Sequence, residues 1–548
     1  MYLLASHIIT PLGEGLAANY DAIMQGKSAL RRYENPALLP TLFFASLFKE
    51  GAIDLVEGYS RFESLCIRCA AVAIKKADID TADGRTLFVL SSTKGNIEAL
   101  ATTQETETVG LAESAQRIAR YFGNHNAPLV VSNACTSGVC AQIAALRLLR
   151  SGYYDHAVII GCDVQSAFII SGFQSLKALS DEPCMPYDAD RKGLNLGEAA
   201  ACMVLSNRRK STIELLQGSI CNDANHISGP SRTAEGSLRV LQKVIKDVDK
   251  QKIAVINAHG TSTIYNDEME SIAVERAGLQ EITVNSLKSV FGHTMGAAGM
   301  LESLLTAYAL ERNTILPTRN FHKLGVSRAI KVSSTAQQIT EKPYFIKLLS
   351  GFGGCNAAML YKIGNTETYT EIETYREFDS PKLQSSLSDI HRVCLSSEKH
   401  NLTDLYHQYA ADYPKFLKMD LLSKTGFIAA ELLAHEETLP QDCAVLIFTH
   451  AGSLRNDIRY QHTIADFPSP ALFVYTLPNI VTGEIAIRRH LLAETSCYVL
   501  PNEDWNMMQQ VVAATMQDQP SSMVLYGWVD TEGDNFFADI RLATIKKY

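Results

Sequence analysis

Cys135 stands in the run Ser132-Asn-Ala-Cys-Thr-Ser-Gly138, where a short apolar stretch gives way to small residues and then to a long apolar helical pattern. A cysteine at such a junction meets the positive end of a helix dipole and unpaired backbone N–H groups. Its pKa is therefore expected to fall and its thiolate to act as a nucleophile near neutral pH. The competing reading is an inert buried thiol, the ordinary state of a free cysteine. Cys140, Cys162, Cys184 and Cys202 lack the strand, turn and helix-start context and are read that way.

Two histidines lie in matched surroundings further on. His259 belongs to Asn257-Ala-His-Gly-Thr-Ser-Thr263, with Asp267 and Glu270 beyond it. His293 follows Lys288 in a Gly-rich turn that opens an apolar helix reaching Glu302. His259 sits at the end of an apolar strand, where α/β sheets collect ligand-handling groups, and His293 at the turn into a helix. Finally, Ser350-Gly-Phe-Gly-Gly-Cys-Asn356 places three glycines in four residues. Such a turn can expose backbone N–H groups as an oxyanion hole, with Phe352 placed to shape or gate the pocket.

The elements that must hold these groups are legible as well. Apolar runs at Thr86–Ser91, Leu129–Ser132, Ala157–Gly161, Ala200–Leu205 and Ile253–Asn257 alternate with helical patterns. Continuous apolar strands between helices define an α/β protein with sheets covered on both faces. Ser137–Leu149 is apolar nearly all round and is predicted as a deeply buried helix closed by Gly152.

The chain has 548 residues, nearly half of them apolar, and a net charge of -9. That balance fits a soluble globular enzyme and argues against a general nucleic-acid binder. Twelve cysteines without a CxxC pair, together with an opening that lacks a signal peptide's basic region, point to a cytoplasmic chain with free thiols. No apolar run is long enough to cross a bilayer, so no membrane partner is expected.

From about Asn365 to Asp389 the composition turns to Thr, Glu, Ser, Lys and Tyr, which reads as a linker over 364–389. Beyond it the chain repeats its beginning in weakened form. Leu421–Glu436 echoes Ser60–Asp78, Ala444–Gly452 echoes Leu87–Gly95, Ala471–Leu492 echoes Ala127–Leu149, and Met523–Asp530 echoes Ala157–Asp163. In this alignment Ile480 falls opposite Cys135, and no counterpart of either histidine follows. The expected organisation is a catalytic domain over 1–363, in halves of about 1–210 and 211–363, and a degenerate half-domain over 390–548 without catalytic residues.

Taken together, TPLG near the start, NACTSG, CMPYDADRKGLNLGEAA at Cys184–Ala200, NAHGTST, KSVFGHTMGAAG and GFGGCNA resemble the beta-ketoacyl synthase family in its own motif order. The resemblance covers roughly residues 1 to 363 and implies a thiolase-like α-β-α-β-α layered fold with a partial thiolase-like half after it. It assigns Cys135 as nucleophile, His259 and His293 as the histidine pair, and Lys288 as their lysine. Cys135 and Phe352 supply the oxyanion hole beside Gly353. Asp267, Glu270, Glu302 and Glu198 fall in the supporting network. The Cys-His-His set is similar to the elongating branch, which condenses a Cys-bound acyl chain with malonyl on acyl carrier protein. The family has a phenylalanine at Ser350 and a threonine at Cys355, so this chain departs from it at the gate.

The resemblance implies no cofactor and no metal, because the substrates ride on the phosphopantetheine arm of acyl carrier protein. It also implies a homodimer or a heterodimer with a related synthase-like subunit. Arg147, Arg150, Lys177, Arg191 and Lys192 are the expected basic surface for the acidic carrier. Two alternatives stand beside this reading. One is a catalytically silent subunit of the chain-length-factor kind, which typically lacks the cysteine. The other is a zinc site built from Cys135, His259 and His293.

Overall fold

The computed structural model describes residues 1–35, 37–39, 41–102, 106–364, 387–519 and 521–545. The first sheet is built on β1 (Tyr2–Thr10), β2 (Thr86–Ser91), β3 (Leu129–Val131), β4 (His156–Asp163) and β5 (Ala199–Ser206), and the two-residue strand Gly13–Glu14 folds back on β1. They are ordered β3-β2-β4-β5-β1, with β3, β2 and β4 parallel and β5 antiparallel to both of its neighbours. A second sheet of β6 (Ile213–Asn222), β7 (Ile253–Asn257), β8 (Thr283–Asn285), β9 (Tyr344–Gly351) and β10 (Cys355–Ile363) has the equivalent order β8-β7-β9-β10-β6.

Helices fill the layers because their apolar residues leave few polar faces. α1 (Arg61–Ala77) covers the outside of the first sheet. Between the sheets lie α2 (Ser137–Arg150), whose residues from Ser137 to Leu149 are all buried, and α4 (Ala298–Leu310), packed against it. α3 (Ile264–Arg276) lies on the far face of the second sheet through Met269, Ala273 and Val274. The result is the five-layered α-β-α-β-α arrangement expected from the resemblance.

The third sheet contains β11 (Leu387–Ser396), β12 (Ala444–Thr449), β13 (Thr495–Val499), β14 (Val524–Glu532) and β15 (Asn535–Ile545). Its order, β13-β12-β14-β15-β11, and its parallel and antiparallel pairings reproduce the first sheet. Most of the predicted linker lies outside the described residues, but its last three positions already belong to β11.

Strand register corrects the alignment drawn from sequence. Leu90 pairs with Val130 and Ile160 in the first sheet, as Ile447 pairs with Cys497 and Gly527 in the third. Counting from Val130 and Cys497, Cys135 corresponds to Asn502, not Ile480. Ile480 instead begins α6 (Ile480–Arg489), which precedes β13. The equivalent of α2 is α7 (Trp505–Asp518). Two helices of similar apolar character stand close together in the chain, and only hydrogen-bond register tells which of them follows the strand. α5 (Leu421–Glu436) does occupy the place of α1.

The first and third sheets meet edge to edge. β3 and β13 pair antiparallel, Val131 with Tyr498 and Val130 with Val499. Since Val131 and Tyr498 are also equivalent positions, a local two-fold axis passes between them. An isologous contact of this kind ordinarily joins two subunits; here one chain supplies both sides. α7 packs on α2, where buried Arg147 is held by both oxygens of Glu494 at 2.9 and 2.8 Å and by Asp518 at 3.0 Å. No helix among the described residues is long and apolar enough to cross a membrane.

Candidate active site

Cys135 lies in a 3-10 turn, Ala134–Thr136, between β3 and α2. Ala134 adopts φ 48°, a left-handed turn that aims the cysteine across the inter-sheet space. The glycine-rich turn after β9 comes very close: a Cβ on Gly351 would lie 3.2 Å from the Cys135 nitrogen. Contrary to the expected fall, burial pushes the Cys135 thiol up to about 12. The Lys288 charge and the N–H groups of Cys135 and Phe352 oppose that rise without cancelling it. Loss of water outweighs the helix terminus.

β7 delivers His259 and the turn after β8 delivers His293. Cys135 Sγ and one ring nitrogen from each histidine lie within 4.8 Å of one another, and all three residues are buried. The imidazole rings meet edge to face, 5.1 Å between centroids. Burial first, and the positive charges of Lys288 and Lys347 next to it, hold both histidines well below their ordinary pKa, so both are neutral at pH 7. His293 Nδ1 accepts the Met295 N–H at 3.3 Å, which puts the ring proton on Nε2. That Nε2 has no partner among the described residues and is free to donate.

Carboxylates on α3 hold the first histidine loop. Glu270 accepts the N–H groups of His259 and Gly260, each at 2.7 Å, and the Tyr187 hydroxyl at 2.9 Å. Asp267 accepts the N–H groups of Thr261 at 2.9 Å and Tyr187 at 2.7 Å. Burial raises both carboxyls, Asp267 to about 7. Behind the histidines, Glu302 joins two ammonium groups: Lys288 at 2.8 Å and Lys347 at 2.5 Å. Lys347 also donates to Asn257 Oδ1 at 2.6 Å and to the Ala258 carbonyl at 3.3 Å. It ties the strand before His259 to the helix after His293. Sequence reasoning missed Lys347, although a lysine inside the apolar run Tyr344–Gly351 was its signal.

Glu198 does not join this network. It binds Arg61 at 2.7 Å and the N–H groups of Phe48 and Gln165, bracing the segment next to Gly197, whose N–H reaches the His293 carbonyl. Asp163, also missed, is buried and accepts from Ser92, Thr93 and Gly296, so it anchors the turns after β2 and before α4. The basic surface does not survive as drawn. Arg147 is consumed by Glu494 and Asp518, and buried Arg191 donates to the carbonyls of Asp188 and Gly325. Lys192 is paired with Glu182 at 2.7 Å.

Next to Cys135 a narrow, mostly apolar slot is lined by Lys94, Ile169, Phe173, Met295 and Phe352, with Phe473 and Leu477 contributed by the part of the chain that carries the third sheet, here the third unit. Phe352 stacks on Phe173 with ring centroids 6.2 Å apart. The site therefore presents a thiol, two neutral imidazoles and backbone N–H donors around an apolar slot.

Residues 5–211 match the family profile described as Beta-ketoacyl synthase, N-terminal domain, and residues 214–322 match Beta-ketoacyl synthase, C-terminal domain. Similar curated proteins include 3-oxoacyl-(acyl-carrier-protein) synthase 2 of Vibrio cholerae serotype O1, 32% identical over 43% of this chain and 62% of the relative. The protein of the same name from Rhizobium meliloti is 35% identical over 42% of this chain and 60% of the relative. These matches span about three fifths of the relatives' length. The solved structure of PfaC Keto synthase-Chain length factor has the same fold, with a TM-score of 0.82 at 13% identity over 99% of this chain and 78% of that one. With two consecutive profiles covering more than half of its length, the chain belongs to the beta-ketoacyl synthase family.

Proposed function

We propose that the chain is a 3-oxoacyl-(acyl carrier protein) synthase that carries out decarboxylative Claisen condensation. The observation that carries this reading is the convergence of Cys135 Sγ, His259 and His293 within 4.8 Å beside the N–H groups of Cys135 and Phe352. The Cys135 sulfur attacks the thioester carbonyl of an acyl group on the carrier's phosphopantetheine arm. A neutral histidine takes the thiol proton and returns it to the departing carrier thiol. The two N–H groups hold the oxyanion as the new C–S bond forms.

Malonyl on a second carrier then places its thioester oxygen between the two imidazole N–H donors. The bond to the carboxylate breaks, carbon dioxide leaves, and the enolate so formed is stabilised by both donors. Its carbon attacks the acyl group, a C–C bond replaces the C–S bond, and the Cys135 thiolate so released takes up one proton from solvent. Neutral histidines suit this step, because a protonated imidazole would trap the malonyl carboxylate as an ion pair. No cofactor or metal takes part. The carrier protein is the partner, and the third unit stands where a second synthase-like subunit would stand. The silent-subunit alternative loses its ground, since the thiol, both imidazoles and Lys288 are all in place.

Incubation of wild type and Cys135→Ala with carrier-bound acyl chains, read by intact-protein mass, tests this reading. An acyl adduct confined to wild type supports it, and no adduct with any chain counts against it. The same three donor atoms favour one rival, a zinc site. Stoichiometric zinc in the purified protein would replace the condensing mechanism with that one.

A further inference from the structure

The gate turn is held from the far side of the two-fold contact. Asn479, immediately before α6, is 2% exposed, and its Nδ2 donates to the Phe352 carbonyl at 2.8 Å. Its Oδ1 is buried and has no partner among the described residues. A buried amide with an unmatched oxygen is a poor choice for packing alone; what this one supplies is the N–H donor. The fit around it is tight. Gly353 has φ 85°, and a Cβ there would lie 2.6 Å from Asn479 Nδ2, while a Cβ on Gly483 of α6 would lie 2.7 Å from the Gly353 carbonyl.

The peptide between Phe352 and Gly353 is thus pinned at both ends. Its carbonyl goes to Asn479, and its N–H goes to the Ile227 carbonyl at 2.7 Å. Asn222 then takes the next carbonyl, that of Gly353, at 2.8 Å. The N–H that serves Cys135 belongs to the preceding peptide, one pair of backbone torsions away. In a turn with glycines at 351, 353 and 354, that direction is soft unless the neighbouring plane is fixed.

We propose that Asn479 is a positioning residue for acyl transfer: it fixes the Phe352–Gly353 peptide and so aims the Phe352 N–H at the oxyanion formed on Cys135. The third unit, which has lost the nucleophile, then completes the active site of the first. This inference rests on the condensing reading above. It separates two half-reactions, because the Phe352 N–H serves acylation of Cys135, whereas the histidines serve malonyl decarboxylation.

The test uses the full chain with Asn479→Leu, similar in size and unable to donate, and Asn479→Ser, which keeps a short donor. Acylation of Cys135 is followed by intact mass, and decarboxylation of malonyl carrier by carbon dioxide release. Asn479→Leu is expected to slow acylation about tenfold to a hundredfold, the scale of a misplaced catalytic group, with decarboxylation within about twofold of wild type. Asn479→Ser should show the same split to a smaller degree, and it decides the matter if the leucine variant does not fold. Equal losses in both half-reactions, or no loss in acylation, would overturn the proposal. A wild type that loads no acyl chain would remove the condensing reading itself, and the inference with it.

Discussion

Replacing Lys347 by Met perturbs the histidine pair without touching it. Lys347 is fully buried in β9, and its ammonium joins Glu302, Asn257 and the Ala258 carbonyl. Removing one member of a buried charge network costs about 3–5 kcal/mol. Glu302 keeps Lys288 at 2.8 Å, which places the loss at the lower end of that range. The apolar methionine returns about 1 kcal/mol by filling the space of the lysine stem. The net expectation is a destabilisation of about 2–3 kcal/mol, read as a lowered denaturant midpoint. The catalytic signature is more specific. After burial and Lys288, the Lys347 charge is one of the causes holding His259 and His293 below their ordinary pKa. Without it both pKa values rise, so at a given acidic pH a larger fraction of each histidine is protonated. The acid limb of malonyl decarboxylation must then move to higher pH. A folded variant whose acid limb stays in place or moves to lower pH would refute the electrostatic role given to Lys347.

Three further outcomes are expected. His450 of the third unit and Glu113 of the first meet at 3.0 Å, and this contact raises His450 from 6.5 to about 9. The stability lost in His450→Asn should therefore be fully present below pH 6.5 and vanish as pH rises through about 9, as measured by thermal unfolding across that range. Arg147→Met strands the Glu494 carboxylate and should cost about 3–5 kcal/mol in denaturant unfolding, most of it recovered in Arg147→Met/Glu494→Leu. Gly172→Ala places a Cβ 2.1 Å from the Phe473 ring. It should push that ring into the slot beside Cys135, destabilise the protein by about 1–3 kcal/mol, and cut loading of bulky acyl chains more than short ones in a mass-based panel.

The residues of the candidate site were legible because most are announced by their own few neighbours: a strand end, a turn of small residues or a helix start. The strand positions followed from the same local rule. Thr86–Ser91 and Ile253–Asn257 occupy the predicted bounds, and Ser137–Arg150 extends the predicted helix by one residue. What escaped notice acts over long range. Lys347 meets Glu302 and Asn479 meets Phe352 only after folding, and nothing beside them in the chain announces the contact. The Cys135 pKa was misjudged for a related reason: the helix start is local, but burial is contributed by the whole surrounding shell. The repeat was visible as composition, yet its register was not, because α6 and α7 are both largely buried helices and pairing of β12 with β13 and β14 is needed to choose between them.

The most direct measurement is a single turnover of wild-type protein, loaded with an acyl group on Cys135 and mixed with malonyl carrier, with the carrier products identified by mass. The account predicts a 3-oxoacyl carrier two carbons longer than the loaded chain, formed together with carbon dioxide and lost in Cys135→Ala. Release of carbon dioxide to give only acetyl carrier, with the acyl group still on Cys135, would contradict it.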